Sequence, residues 1–179
     1  MRSAAEPPRR LFIGLFPDPA VQTAIIQHRN AWDWPRGSRL TRAHRLHLTL
    51  HFLGYVDVAR QLELQTTLAS AAMKPLDLVL NMPQAWRGGV AVLMPDEHAG
   101  LLALHDQLVP LLQRVGLNAA SSRWKPHLTI AREAADTAPP ERPVHIPWRV
   151  NEFVLVWSQM SPTVRYEILA RYPATESPR

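Results

Sequence analysis

Short apolar runs bounded by polar, Gly or Pro residues predict the strands of this chain. Runs of roughly four to eight apolar residues are typical of buried or half-buried strands. Two of the runs flank Arg87-Gly88-Gly89 and are expected to form a hairpin. The predicted strands cover Leu11–Leu15, Leu46–Leu53 with Gly54 at its end, Leu76–Leu80 with an extension to Trp86, Val90–Met94, His127–Ala131, Phe153–Trp157 and Val164–Ala170.

Three segments between these runs carry helix signals. Asp18 followed by Pro19 places a capping residue before a proline at the first helical position, which predicts a helix to about Asn30. Asp57 is expected to cap a second helix to about Met73, and Asp96 a third that ends at Gly116. Spacings of three and four residues predict the apolar face of the third helix, formed by Leu101, Leu104, Leu108, Leu111, Leu112 and Val115.

The order of these elements favours an α+β fold. Strands come in pairs with helices between them, an arrangement typical of largely antiparallel sheets. Trp32–Arg45 and Ala134–Pro147 are predicted to be irregular. The chain has 179 residues and is 46% apolar, which is enough for a sizeable core. We expect a flexible arm at residues 1–9, a single bilobal domain at 10–172 and a tail at 173–179.

The tripeptide His-Leu-Thr occurs twice, at His47–Thr49 and at His127–Thr129, each time in a predicted strand. Residues two positions apart on a strand point to the same face, so each motif offers an imidazole beside a hydroxyl. Two such strands facing each other would place two histidines and two hydroxyls around one cleft. A strand and a helix precede each of the two motif strands. This repeated order favours a crude duplication of the two halves.

Paired imidazoles and hydroxyls suit acid–base chemistry on a phosphate. His47 and His127 would take a proton from an attacking water and give one to a leaving oxygen, assistance worth about 10²–10⁴ in rate. Thr49 and Thr129 would donate hydrogen bonds to the non-bridging oxygens. Arg132 would neutralise developing charge, although strict alternation over five residues points it away from the face of His127.

Other histidines and aromatic residues compete for a place at this cleft. By the same alternation, His51 shares the face of His47 and Thr49, which places it near the cleft or at its rim. His105 falls inside the third predicted helix, where packing is its expected role. Of the six tryptophans, Trp86 and Trp124 are the best placed to stack on a base, and core packing is the competing role.

The composition narrows the class of partner. The net charge of +5 is carried almost entirely by arginine, because Lys74 and Lys125 are the only lysines. A basic chain favours an anionic partner such as nucleic acid, although genome base composition also produces arginine-rich chains. The chain has no cysteine, which excludes disulfides, thiolate metal sites and a cysteine nucleophile and fits a reducing cytosol.

A metal site, a cofactor and a membrane segment are not expected. His47 and His51 have the spacing of a ligand pair, but on a strand they lie about 13 Å apart by the rise per residue. After the first motif, no carboxylate occurs before Asp57. No apolar stretch approaches the roughly 20 residues of a membrane helix, and the start lacks the apolar core of a signal peptide. We therefore expect a cytoplasmic protein, and a monomer.

At these residues the chain resembles the two-histidine phosphoesterase superfamily, and more narrowly the bacterial RNA 2′,3′-cyclic phosphodiesterases, also called 2′-5′ RNA ligases. The resemblance spans roughly Arg10 to Tyr172. The resemblance is specific because both motifs match together with their flanking residues. A single His-x-Thr tripeptide would not be specific. The matching segments are Arg10–Leu15, His47–Gly54, Trp124–Arg132, Leu155–Ser158 and Tyr166–Leu169.

The resemblance implies a bilobal α+β fold, with an antiparallel sheet and outer helices in each lobe and the motifs across a central cleft. It implies metal-independent opening of a 2′,3′-cyclic phosphate on an RNA end to a 2′-phosphate. His47 and His127 would be the acid and base, in an order left open, and Thr49 and Thr129 would hold the phosphate. The family often carries an arginine at the place of Arg132. By microscopic reversibility, the same site would also form a 2′-5′ linkage.

Two other functions remain open at this point. One is a phosphodiesterase that acts on another 2′-linked nucleotide, such as a 2′-5′ oligoadenylate or an ADP-ribose cyclic phosphate. The other is a non-catalytic RNA-binding module that keeps the basic cleft. Turnover that His47→Ala and His127→Ala abolish while binding survives would separate an enzyme from a binding module.

Overall fold

The computed structural model describes residues 6–119 and 123–175 of the chain. The described residues form nine strands and three α-helices, with a short 3₁₀ turn at Ala43–Arg45. In chain order these are β1 (Arg9–Leu15), α1 (Pro19–Arg29), β2 (Arg39–Leu40), β3 (Leu48–Val56), α2 (Val58–Leu68), β4 (Leu76–Trp86), β5 (Val90–Pro95), α3 (Ala99–Arg114), β6 (Leu128–Arg132), β7 (Ile146–Val150), β8 (Glu152–Gln159) and β9 (Arg165–Pro173).

The strands form two antiparallel groups that meet at the motifs. The path across the sheet is β7-β4-β5-β6-β3-β1-β8-β9, and β2 pairs with β6 beside this path. β3 and β6 pair through a single residue pair, Leu48 with Leu128. We call β3, β1, β8 and β9 the first half, and β6, β5, β4 and β7 the second half. The expected α+β fold with antiparallel sheets is confirmed. The Leu48–Leu128 pair connects the two groups of strands into one continuous sheet.

The two halves repeat the same topology around their shared pair. In the first half, β1 leads through α1 to the motif strand β3 and pairs with it antiparallel. In the second half, β5 leads through α3 to the motif strand β6 and also pairs with it antiparallel. Each inner strand then pairs with one further neighbour, β8 or β4. The repeated order of strand, helix and motif strand is therefore present in the topology.

Both motif strands carry a β-bulge directly after the threonine. In β3, Thr49 pairs with Gly14 and His51 with the preceding residue Ile13, so Leu50 is the extra residue. In β6, Thr129 and Ala131 pair with adjacent residues of β5, so Ile130 is the extra residue. A bulge places two residues against one on the partner strand and reverses the alternation beyond it. The orientation of every later residue of the motif strand depends on this reversal.

The helices bury their apolar residues against one face of the sheet. Ile25 of α1, Leu64 and Leu68 of α2, and Leu108 of α3 are fully buried in the main core. All six residues predicted for the apolar face of the third helix are buried in that core. Because the helices cover this face around the motif strands, the opposite face of those strands is left for a cleft.

The predicted N-terminal capping residues are correct for α1 and α2 and wrong for α3. The Asp18 side chain accepts a hydrogen bond from the Val21 backbone, and Asp57 does the same for Arg60. The prediction of Asp96 as the cap of α3 is wrong, because the His98 ring accepts from the Leu101 backbone and the helix starts at Ala99. Asp96 instead follows directly on β5, where its backbone N–H bonds to Val79.

Other element bounds also depart from the sequence pattern. α2 ends at Leu68 rather than near Met73. The segment predicted as the loop Trp32–Arg45 contains β2, and the segment Ala134–Pro147 includes the start of β7 at Ile146. Both strands gain their hydrogen bonds from distant partners, β6 and β4. Their short polar or proline-containing sequences carry little strand signal of their own.

The described ends lie close to the predicted domain bounds. β1 begins at Arg9 and β9 ends at Pro173, each one residue outside the predicted 10–172. Ala174 and Thr175 hydrogen-bond to the backbones of Asn151 and Met73. Residues 1–5 of the predicted arm, 176–179 of the predicted tail and 120–122 of the predicted loop lie outside the described residues. None of the described helices is long and apolar enough to cross a membrane.

Candidate active site

A small polar cleft of about 110 Å³ lies on the open side of the sheet, where the two motif strands meet. All five residues that the sequence predicts for the site line this cleft, together with three that it does not. The lining residues are Thr41, Arg45, His47, Thr49, His127, Thr129, Arg132 and Tyr166.

The pairing of Leu48 with Leu128 explains how the motifs converge. Both leucines are fully buried, so their neighbours in each strand point to the opposite face. In an antiparallel pair the positions beside Leu48 and Leu128 are cross-strand neighbours, with Cβ atoms about 4.5–5.5 Å apart. His47 therefore lies beside Thr129, and Thr49 lies beside His127. The motif strands are neighbours in one sheet, and the site has an approximate two-fold symmetry.

The same backbone contact orients both imidazoles. Nδ1 of His47 lies 2.8 Å from the carbonyl of Arg45, and Nδ1 of His127 lies 2.7 Å from the carbonyl of Lys125. A carbonyl oxygen only accepts hydrogen bonds, so Nδ1 must be the protonated nitrogen in each ring. The neutral ring then keeps its lone pair on Nε2, which is the nitrogen available to exchange a proton with a substrate. Each carbonyl stands two residues before its histidine.

The two imidazoles differ in their surroundings, and the pKa of each is lowered. Three aromatic rings surround His47, with centroid distances of 4.8 Å to Phe12, 5.3 Å to Phe16 and 5.3 Å to Tyr166. Burial lowers the pKa of His47 to about 4, and the charges of His127, Arg45 and Arg132 add to this effect. Burial first, and Arg132 second, also lower the pKa of His127. Both rings are therefore neutral at pH 7.

Arg132 reaches the cleft because β6 is bulged. The extra residue Ile130 reverses the alternation, so that Arg132 shares a face with Thr129 instead of opposing it. β6 ends at Arg132, and Glu133 follows with a φ of 55°. Strict alternation gave the wrong face for Arg132, and the arginine position implied by the family resemblance agrees with the structure.

The same bulge removes His51 from the cleft. Because Leu50 is the extra residue in β3, His51 turns to the face opposite Thr49 and is fully buried. Its Nε2 lies 2.9 Å from the backbone carbonyl of His105, and the two rings stack with centroids 4.2 Å apart. The expectation that His51 lies at the cleft rim is therefore wrong, and the packing role expected for His105 is confirmed.

Trp124 belongs to the core and links the two motifs. Its ring stacks on His105 with centroids 4.1 Å apart, and its Nε1 donates a 3.0 Å hydrogen bond to the carbonyl of Thr49. A residue three positions before His127 thus holds the backbone of the first motif. Of the two roles that the sequence left open for Trp124, the structure shows core packing.

Arg45 is a cleft residue that the site prediction missed. It stands two residues before His47, as Lys125 stands before His127, and this matched spacing is the sequence signal that could have identified it. Its guanidinium lies 5.6 Å from the centroid of the Tyr166 ring, and its Nε is buried without a hydrogen-bond partner. A buried, unpaired N–H beside a polar cleft suits an anionic ligand.

Thr41 and Tyr166 enter the cleft through long-range pairing. Thr41 follows β2, and its backbone N–H bonds to the carbonyl of Ile130. Tyr166 lies on β9, opposite Ser158 of β8. Neither residue has a spacing that ties it to the histidines. Tyr166 lies in a segment that matches the family, but that match assigned it no role.

The titratable groups of the cleft are two imidazoles, two guanidinium groups and the Tyr166 phenol. Within residues 6–119 and 123–175, no three His, Cys, Asp or Glu side chains are grouped so that they could hold a metal ion. The chemical resources of the cleft are two neutral imidazoles, three hydroxyl groups from threonine, the Tyr166 phenol and two guanidinium groups. This set can hold an anion with two or more oxygens and can move protons on two sides of it.

Two histidine–threonine pairs on neighbouring strands, with a basic cleft between the halves of a curled antiparallel sheet, define the two-histidine phosphoesterase class of fold and site. A model of the 2′-5′ RNA ligase superfamily matches residues 17–161. The chain belongs to that superfamily, and the resemblance deduced from its motifs is confirmed.

Curated relatives and solved structures agree with this assignment. The RNA 2′,3′-cyclic phosphodiesterase of Escherichia coli strain K12 is 29% identical over 174 residues, which cover 94% of this chain and 98% of the relative. A protein of the same name from Geobacillus stearothermophilus is 29% identical over 150 residues, covering 74% of this chain and 46% of its own length.

The fold matches that of solved bacterial structures. The structure of Escherichia coli LigT complexed with 3′-AMP superposes with a TM-score of 0.84 at 29% identity, covering 96% of this chain and 100% of the other. The structure of LigT complexed with phosphate gives a TM-score of 0.81 at 27% identity with the same coverage.

Proposed function

We propose that this protein is an RNA 2′,3′-cyclic phosphodiesterase that opens the cyclic phosphate of an RNA end to a 2′-phosphate without a metal ion. The names of the two relatives support the substrate class. The observation that carries the proposal is the pair of imidazoles, each held through Nδ1 by a backbone carbonyl, on the two sides of one basic cleft.

In the proposed reaction, water attacks the phosphorus and the P–O3′ bond breaks. One imidazole takes the proton from the attacking water at Nε2, and the other gives a proton from Nε2 to the departing O3′. Thr49 and Thr129 donate hydrogen bonds to the non-bridging oxygens, and Arg45 and Arg132 offset the charge that develops on them. In the reverse direction, a 5′-hydroxyl replaces water and the product is a 2′-5′ linkage.

The different surroundings of the imidazoles suggest their roles. An anionic substrate raises the pKa of both rings, because negative charge favours the protonated form. His47 starts from a pKa of about 4 inside a cage of three aromatic rings, so it is the ring better suited to stay neutral and act as the base. His127 contacts one aromatic ring, Trp86, and is the better suited to carry the proton for the leaving oxygen.

Hydrolysis of a nucleoside 2′,3′-cyclic phosphate in EDTA, followed by phosphorus NMR, tests the reaction. We expect a 2′-phosphate from the wild type and none from His127→Ala. Turnover that requires added metal, or the absence of turnover on this compound and on a short RNA with the same end, contradicts the proposal. Turnover only of a 2′-5′ oligoadenylate or an ADP-ribose cyclic phosphate would move the assignment to that substrate.

A substrate with sulfur in place of O3′ tests the assignment of acid and base. A thiolate leaves without a proton, so it makes the general acid dispensable. We expect the sulfur substrate to restore turnover to His127→Ala and not to His47→Ala. Restoration of His47→Ala instead would reverse the two roles.

We also propose that the protein works in RNA processing in the cytoplasm, as a monomer. The absence of cysteine and the bacterial relatives support this location. The cleft supports the monomer, because one chain supplies both motifs.

A further inference from the structure

We propose that the groove next to His127 binds the nucleobase of the nucleotide that carries the cyclic phosphate, with Trp86 as its stacking surface. This proposal rests on the proposed function, since it concerns the part of the substrate beyond the reacting phosphate. Trp86 is the last residue of β4, and its ring lies 4.6 Å from the ring of His127 at an angle of 60°. A molecule that reaches His127 therefore lies beside the indole.

The indole of Trp86 is held in place before any ligand arrives. Its Nε1 donates a 2.8 Å hydrogen bond to the side-chain oxygen of Gln84, two residues earlier on the same strand face. The polar group of the ring is thus satisfied, and the half-buried ring keeps an apolar surface toward the groove. A fixed aromatic ring binds a flat partner with little further loss of conformational freedom.

The groove is an open cavity of about 290 Å³ between the β4–β5 turn and the loop that follows β6. Trp86 to Gly89 line one side, and Ala134 to Thr137 line the other. The backbone N–H of Ala134 donates to the carbonyl of Gly89 at 3.0 Å, which ties the two walls together. Gly89 has a φ of 72°, and a Cβ there would lie 3.0 Å from the Ala134 nitrogen, so glycine sets this close approach.

The groove lies beside the phosphate cleft, and the two share no lining residue. Arg132 lines the cleft, and the wall residue Ala134 follows two positions later in the chain. The contact of His127 with Trp86 joins the cleft to the groove from the other side. A nucleotide with its phosphate between the histidines thus has a path for its base along Trp86.

The other aromatic residues near the cleft are already engaged. Phe12, Phe16 and Tyr166 pack around His47 and against one another, with Phe12 and Tyr166 centroids 5.2 Å apart. Trp124 is stacked on His105 in the core. Trp86, in contrast, lines the open groove beside the cleft. Base–aromatic stacking tolerates all four bases, which fits an enzyme that acts on RNA ends of varied sequence.

A pair of substrates that differ only in the base tests the proposal. One is adenosine 2′,3′-cyclic phosphate, and the other is methyl riboside 2,3-cyclic phosphate, which has no base. We expect Trp86→Ala to lower kcat/KM for the adenosine compound by about 5- to 150-fold, the range of a lost stacking contact. The same change should leave kcat/KM for the baseless compound near that of the wild type.

Two control variants separate stacking from support of the catalytic ring. Trp86→Phe keeps a stacking surface and should retain most of the activity on adenosine 2′,3′-cyclic phosphate. Trp157→Ala removes a half-buried indole on β8, under the Arg9 guanidinium, and should affect both substrates equally or not at all. An equal loss on both substrates in Trp86→Ala would show that Trp86 only supports His127, which overturns the proposal.

Equilibrium binding keeps the test independent of turnover. If the wild type hydrolyses neither compound, the proposed function fails, and the base site is then tested by calorimetric titration with adenosine 2′-phosphate and methyl riboside 2-phosphate. Tighter binding of the adenosine compound that Trp86→Ala abolishes supports the base site. Equal affinities for the two compounds in the wild type overturn it.

Discussion

The two halves of the site share one backbone design but surround their histidines differently. Both motif strands start beside the Leu48–Leu128 pair, carry a bulge one residue after the threonine and hold their histidine by the carbonyl two residues earlier. Three aromatic rings then enclose His47, whereas His127 contacts Trp86 at the edge of an open groove. The shared backbone places the two histidine–threonine pairs symmetrically around one cleft, whereas the aromatic surroundings of the two histidines differ.

The two halves also differ in the residues at equivalent positions after the bulge. Arg132 in β6 corresponds to Phe52 in β3, and Ala131 corresponds to His51. Arg132 lines the cleft, whereas Phe52 is 44% exposed and lies under the Arg10 guanidinium at 4.5 Å. One half therefore supplies its cation from the motif strand itself. The other half supplies Arg45 from the turn before it.

Removal of either histidine is expected to have the largest effect. We expect His47→Ala and His127→Ala each to lower kcat by about 10²–10⁴-fold, because each removes one partner of the proton transfers. Steady-state kinetics on adenosine 2′,3′-cyclic phosphate would measure this loss, with the exposed His145→Ala as the matched control. Retention of wild-type kcat in either variant would contradict the two-histidine mechanism.

The second largest effect on turnover is expected for Arg132, which corresponds to Phe52 in the other half. Arg132→Ala should lower kcat by about 10²–10³-fold, since a group that stabilises the charge of the transition state is lost. Phe52→Ala at the corresponding position of β3 should leave kcat close to that of the wild type. Both variants would be measured on the same substrate. Equal losses of kcat would contradict the prediction that Arg132, and not its counterpart Phe52 in β3, stabilises the charge of the transition state.

The pH dependence of stability should separate the two histidines. The unfolded chain protonates His47 at its ordinary pKa of 6.5, whereas the folded chain does so at about 4. Between these values the unfolded state binds the proton and the folded state does not, so stability falls as the pH drops from 6.5 to 4. The difference between these two pKa values corresponds to about 3 kcal/mol.

Urea unfolding at pH 7 and pH 4 would measure this loss. We expect His47→Asn to lose less stability on acidification than the wild type, because the variant has no imidazole to protonate at that position. The pH dependence of stability in His127→Asn should differ less from that of the wild type than it does in His47→Asn, since His127 contacts one ring rather than three. Identical pH dependence in His47→Asn and the wild type would contradict the lowered pKa of His47.

The smallest expected effect on turnover lies on the buried side of the first motif. His51→Ala removes the hydrogen bond to the His105 carbonyl and should lower the free energy of unfolding by about 1–3 kcal/mol. The turnover of the folded variant should match that of the wild type, because the bulge turns His51 away from the cleft. A reduced kcat with unchanged stability would place His51 in the site after all.

Local sequence patterns were sufficient for most elements and for the centre of the site. Helix caps at Asp18 and Asp57 depend on residues three positions apart, which a sequence pattern can identify. The repeated tripeptide identified both histidines and both threonines, because one strand face is set by neighbours two positions apart. Local patterns failed at β2 and β7, whose hydrogen bonds come from strands far along the chain.

The sequence by itself determined the antiparallel α+β class, the paired motifs and the family, because these depend on periodicity and on residues close together in the chain. Tertiary structure decided which way Arg132 and His51 point. A bulge depends on how two strands pair, and strict alternation within one strand does not contain it. Tertiary structure also brought Arg45 and Tyr166 into the cleft and placed Trp86 beside His127, since those contacts join separate elements.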